Sequence, residues 1–101
     1  MVIGRVHGTV VSTTKSEKLE GLKLLVVMPI EIDTFKEKGQ PIVCVDSVGA
    51  GEGEVVICVA GSSARQTAIT DNKPVDNTIV AILDHVDWKG KRVYEKYTID
   101  N

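Results

Sequence analysis

Aromatic residues are scarce in this sequence. Phe35, Trp88, Tyr94 and Tyr97 are the only four in 101 residues, so a core must be built from Val, Ile, Leu and Ala. A surface that grips nucleic acid by stacking bases on rings has little to work with. Basic charge is not in excess either. Twelve Lys and Arg stand against 14 Asp and Glu, for a net charge of -2. General nucleic-acid binding needs a Lys/Arg surplus to neutralise phosphates, so this balance argues against it. No apolar run approaches the roughly 20 residues of a membrane-spanning helix. The start, Met1-Val2-Ile3-Gly4-Arg5, lacks the charged segment and long apolar stretch of a signal peptide.

Cysteine is limited to Cys44 and Cys58, with no CxxC motif and no Cys/His cluster. In a chain without an export signal, two such thiols are expected to be free and reduced, which implies the cytoplasm. Both lie in apolar runs with no Lys, Arg or His beside them to lower a pKa, so buried, inert thiols are expected. His7 and His85 are isolated, and no spacing suits a metal site. Ser62 and Ser63 lack the G-x-S-x-G elbow of a nucleophilic serine, and no paired acid and base is visible. The expectation is a chain without catalysis, metal or cofactor.

What the sequence does have is short β-branched runs. Residues 2–11, 22–30, 41–46 and 55–60 each read as a strand, and residues 77–88 read as one long strand. A tight turn at Lys89-Gly90-Lys91 leads to a last strand over 92–98. Gly4 and Gly8 lie inside the first strand, where glycine signals a bulge, a bend or a close backbone approach. Residues 12–21 and 31–40 are charged loops. Ser62 or Ser63 is a natural helix N-cap before Ala64-Arg65-Gln66, which predicts a short helix over 61–67, ended by Asp71-Asn72-Lys73-Pro74. Several short strands and one short helix in a single domain, residues 1–101, predict a mostly β protein: a small OB-like Greek-key barrel. Closure into a barrel also removes exposed sheet edges.

The run Gly49-Ala50-Gly51-Glu52-Gly53 invites comparison with a phosphate-binding loop. The context is wrong: such a loop opens a helix, whereas Val55-Val56-Ile57 continues as a strand, and Glu52 and Glu54 would repel phosphate. A turn needing positive φ or tight packing is the expected role. Asp84 and Val86 are expected on one strand face, with His85 and Asp87 on the other. Lys89, Lys91, Arg92 and Lys96 cluster in sequence with Trp88, Tyr94 and Tyr97. That cluster supports an alternative reading, an OB-fold binding module for single-stranded nucleic acid or a small ligand.

The run Asp46-Ser47-Val48-Gly49-Ala50-Gly51-Glu52-Gly53-Glu54-Val55-Val56, followed by Gly61-Ser62-Ser63-Ala64-Arg65, resembles the signature of the vertex proteins of bacterial microcompartments, the EutN/CcmL type. The stretches Val6 to Thr13, Leu19 to Val27, Lys73 to Asp76 and Val80 to Val86 agree in order. The resemblance implies an OB-like barrel that assembles into a closed ring of five and caps the vertices of a polyhedral shell within the cytoplasm. The flat facets of such shells are hexagonal tiles from an unrelated family. It implies itself and those hexagonal shell proteins as partners, with no nucleic acid and no membrane. By the same resemblance, Gly49, Ala50, Gly51, Glu52, Gly53, Glu54, Ser62, Ser63, Ala64 and Arg65 lie at a subunit interface or the five-fold axis. Arg65 sits at a helix start, where its charge opposes the helix dipole, so its purpose is expected outside the helix. Residues 61–66 are similar to the ethanolamine-type version and the amino-terminal third to the carboxysome-type, which leaves the compartment open.

Overall fold

The structure, a computed structural model, describes residues 1–11, 21–61 and 77–97. It contains strands β1 (Val2–Val10), β2 (Leu24–Pro29), β3 (Ile42–Asp46), β4 (Val55–Ala60), β5 (Asn77–Ile82), β6 (His85–Trp88) and β7 (Lys91–Glu95). The first five close into a barrel in the order β1-β2-β3-β5-β4, with β4 returning to β1. This is the predicted mostly β, OB-like barrel. The predicted helix over 61–67, including Ser62 to Arg65, lies outside the described residues except for Gly61, as does the loop over 12–20.

Each strand forms where β-branched residues can turn one face inward. Val6, Leu25, Val27, Cys44, Ala50, Val56, Cys58 and Ile79 make one buried cluster, with Ile42 and Ile82 packed against it. Burying a Val, Leu or Ile side chain stabilises a fold by about 1.5–3 kcal/mol, so this aliphatic cluster replaces the missing aromatics.

The two strand glycines differ. Between Val6 and Gly8 the register of β1 on β2 shifts, leaving His7 as an extra, exposed residue at a bulge. The His7 imidazole hydrogen-bonds the Glu37 carboxylate in the loop between β2 and β3. Gly4 instead lets the strands touch: a Cβ there would lie 2.4 Å from Val27 Cγ1 and 2.8 Å from the Met28 carbonyl oxygen. A Cβ at Gly8 would meet no atom within 4 Å.

The expected long strand over 77–88 is two strands. Its first half stays in the barrel, where Leu83 N–H donates to Val55 O at 2.8 Å and ends the seam with β4. The chain bends at Asp84, and β6 pairs with β7 in a separate two-stranded sheet. Each half follows a different partner, and no Gly or Pro marks the break. Of the predicted alternation, Asp84 falls outside both strands, whereas His85 and Asp87 are exposed on β6 with Val86 half-buried between them, and the register shift skips Val93 on the partner strand. The turn into β7 has Lys89 at φ 50° and Gly90 at φ 78°, both left-handed as a two-residue hairpin turn with the proper twist requires.

Cys44 and Cys58 are free and buried, as expected. They also meet: the Cys44 Sγ–H donates to Cys58 Sγ at 3.4 Å. This hydrogen bond and burial push the Cys44 thiol far above the ordinary range.

Candidate functional site

The glycine-rich turn between β3 and β4 is held at both ends by its own acids. Asp46 closes β3 with its side chain almost fully buried. Its Oδ1 accepts the N–H groups of Val48 at 3.0 Å and Gly49 at 3.1 Å. This local Asx geometry starts the turn, and Gly49 continues it at φ 80°. The Ser47 hydroxyl donates to Ile79 O at 2.6 Å, tying the turn to β5. Ala50 is fully buried and plugs the barrel end. Its carbonyl accepts Lys23 Nζ at 3.0 Å, and the same ammonium lies 3.9 Å from Asp46 Oδ2.

The far end is fixed by Glu54. Its Oε1 accepts Gly51 N–H at 2.6 Å, while Gly51 O accepts Glu54 N–H at 3.2 Å. Gly53, at φ 86°, donates its N–H to Val6 O at 2.8 Å, and Val6 N–H donates to Glu54 O at 2.9 Å. Arg5 Nη1 donates to Gly53 O at 2.7 Å. Within one subunit a Cβ at Gly49 or Gly53 would meet no atom within 4 Å, so their dihedrals are what require glycine here.

This wiring decides the chemistry. A phosphate cradle offers unpaired N–H groups, but the amides of Val48, Gly49, Gly51, Gly53 and Glu54 all donate inside the subunit. Only Glu52 at the tip presents an exposed charged side chain to its surroundings. The result is a rigid, acidic knuckle.

The β6–β7 hairpin leans on this knuckle. Lys96 Nζ donates to Glu54 Oε2 at 2.6 Å. Tyr94 stacks on Phe35 with ring centroids 5.1 Å apart, and the Arg5 guanidinium lies 5.7 Å from the Tyr94 centroid. Phe35 holds φ 54°, an uncommon conformation for a bulky residue, at the point where the stack fixes it. An open depression of about 490 Å³ lies here, lined by Arg5, Phe35, Arg92, Val93, Tyr94 and Glu95. It holds no nucleophile. The basic cluster read in the sequence is largely spent: Arg92 pairs with Asp87 at 2.8 Å and Glu95 at 3.3 Å, Lys96 with Glu54, and Lys89 lies over the Trp88 ring. Among the described residues no group of three or more His, Cys, Asp or Glu could hold a metal. No described helix is long and apolar enough to cross a membrane.

The Lys96 ammonium, and after it the Gly51 amide, hold Glu54 below the ordinary carboxyl value of 4.5. A carboxyl lowered by folding contributes stability that is complete above its unfolded pKa and lost as pH falls through the folded one. Melting temperatures of the wild type and Glu54→Gln should therefore differ most near pH 7. They should converge as pH falls below about 4, the unfolded value for Glu. A constant gap down to pH 2.5 would contradict the assignment.

The sequence reading named Gly49 to Glu54, and the structure brings them together. Ser62, Ser63, Ala64 and Arg65 lie outside the described residues. Asp46, which starts the turn, and Lys23, Arg5 and Lys96, which hold it from other segments, were missed as site residues. Asp46 was findable, since Asp two or three residues before Gly marks an Asx turn.

Comparison with known proteins agrees with the fold. A family model described as "Ethanolamine utilisation protein EutN/carboxysome" matches residues 1–84. The microcompartment shell vertex protein GrpN of Rhodospirillum rubrum is 48% identical over 87 residues, covering 86% of this chain and 97% of that protein. Its structure, a pentameric microcompartment shell protein, superposes with a TM-score of 0.77, 46% identity and coverage of 87% and 100%. The carboxysome shell vertex protein CcmL of Gloeobacter violaceus is 41% identical over 100 residues, covering 95% of each chain. Its structure gives a TM-score of 0.90, with 40% identity and coverage of 95% and 98%. The shell vertex protein EutN of Salmonella typhimurium is 41% identical over 96 residues, again covering 95% of each.

Proposed function

We propose, from the premise that this chain belongs to the EutN/CcmL family of bacterial microcompartment shell vertex proteins, that its rings of five close the corners of a shell tiled elsewhere by hexagonal proteins. It is a structural protein of the shell, located within the cytoplasm. The observation that carries this reading is the likeness, over 87% of the chain, to a pentameric shell protein. The role is architectural, without catalysis, and neither nucleic acid nor membrane is a partner.

The physics supports this assignment. A head-to-tail interface closes into a ring when its rotation divides the circle. Flat hexagonal sheets need five-fold points to close. A small barrel with a modest core gains stability from association. We place the knuckle Gly49 to Glu54, together with Ser62, Ser63, Ala64 and Arg65, at the subunit interface or five-fold axis. The turn is held from within, so it can meet a neighbour without first ordering itself, which lowers the entropic cost of association. The rival binding-module reading relies on the basic residues near Trp88, and salt bridges already engage Arg92 and Lys96.

Sedimentation should return a particle five times the 10.9 kDa chain. A monomer at every accessible concentration would overturn the assignment. Deleting the gene, in a strain with no second vertex protein, should leave elongated or open shells whose enzymes remain active in lysate. Closed shells after that deletion would refute the vertex role.

A further inference from the structure

The two thiols at the centre of the barrel have no part in assembly as described above, and their placement is specific. Cys44 projects from β3 and Cys58 from β4, which are not hydrogen-bonded to each other because β5 runs between them. The side chains cross the interior and bring their sulfurs to 3.4 Å, with both residues at most 2% exposed. A disulfide is about 2.05 Å long, so the sulfurs need to approach by about 1.4 Å.

We propose that Cys44 and Cys58 are a redox-modification site, joined into a cross-barrel disulfide by a hydroperoxide small enough to enter the core. Cys58 is the attacking sulfur. It accepts the Cys44 S–H, and this hydrogen bond favours its thiolate. The Cys58 sulfur attacks one peroxide oxygen and breaks the O–O bond. With hydrogen peroxide, the thiol proton leaves with the other oxygen as water, and a sulfenic acid remains. The Cys44 sulfur then displaces the sulfenic hydroxyl, which departs with the Cys44 proton as a second water. Two thiols lose two electrons, and the peroxide is reduced.

The link has a structural consequence. It closes a loop from residue 44 to residue 58 that contains the whole knuckle, Gly49 to Glu54, with the Asp46 that starts it. It also straps the shortest seam of the barrel. The parallel pairing of β3 with β5 is confined to Val45 with Thr78 and Asp46 with Ile79, whereas β4 and β5 pair along most of their length. Oxidation therefore ties β3 to β4 across the seam that backbone pairing holds least.

The test uses the assembled, fully reduced wild-type protein, exposed to hydrogen peroxide without denaturant. Each chain should lose about 2 Da, the mass of two hydrogens, and both thiols titratable after unfolding should disappear. Proteolysis should yield a peptide pair joined through Cys44 and Cys58. Dithiothreitol should reverse the change, and the oxidised form should melt about 10 °C higher. Four outcomes would overturn the proposal: chains linked to one another, oxygen adducts without the mass loss, thiols that survive intact, or a link that lowers the melting temperature. The measurement is independent of the vertex role, since a chain that is not a ring of five can still form or refuse the link.

Discussion

Gly4→Ala is expected to lose about 3 kcal/mol of stability, the upper part of the range for forcing atoms into a packed site. The added methyl would stand 2.4 Å from Val27 Cγ1 and 2.8 Å from the Met28 carbonyl oxygen. Val27 is fully buried, and the carbonyl belongs to the backbone of the neighbouring strand, which cannot move aside alone. Relief therefore requires β1 and β2 to separate where they seal the barrel. Gly8→Ala is the matched control, because its Cβ meets nothing within 4 Å. That variant should stay within about 0.5 kcal/mol of wild type, with any gain coming from a less flexible unfolded chain. Urea midpoints at one fixed protein concentration check both, since assembly makes apparent stability concentration-dependent. Equal effects at the two positions would show that strand propensity, and not contact, governs β1.

Asp46→Ala should be nearly as severe, at about 2–4 kcal/mol. Hydrogen bonds to a charged acceptor contribute about 1.5–3 kcal/mol each. Here one carboxylate oxygen serves both the Val48 and Gly49 amides, and Lys23 lies near the other. Without it, the turn that carries Ala50 into the barrel end loses its starting constraint. Asp46→Asn retains an oxygen that can accept both amides and should recover more than half of the loss. The order wild type, Asn, Ala is expected in the urea midpoint and in the fraction sedimenting as rings. An Asp46→Ala protein with wild-type stability would mean that the turn is held by Gly49 and Gly53 alone.

The strands were legible because β-branched runs leave few alternatives. The first four expected strands match β1 to β4 within one or two residues. The knuckle was legible because three glycines in five residues have few other uses. The division of residues 77–88 was not, because the break follows a change of partner and leaves no mark in the local sequence. Gly4 and Gly8 look alike in sequence, and only the opposing strand separates the tight position from the open one. The ties that fix the knuckle are long-range: Lys96 reaches Glu54 across 42 positions, and Arg5 reaches Gly53 across 48. The meeting of Cys44 with Cys58 needs the closed barrel, which turns both side chains into one interior across an intervening strand.

That strand order also sets the timetable of folding. β1 is hydrogen-bonded to β2 on one side and to β4 on the other, so the start of the chain waits for a partner more than 40 residues away. The barrel is sealed only when β5 enters between β3 and β4. Loop entropy must be lost before these distant pairings return any stability, and folds of this high contact order take milliseconds to seconds. During synthesis the nascent chain shows open edges on β3 and β4 until residue 82 has left the ribosome. A neighbour that arrives before β5 is in place meets unpaired edges on β3 and β4 instead of a closed barrel.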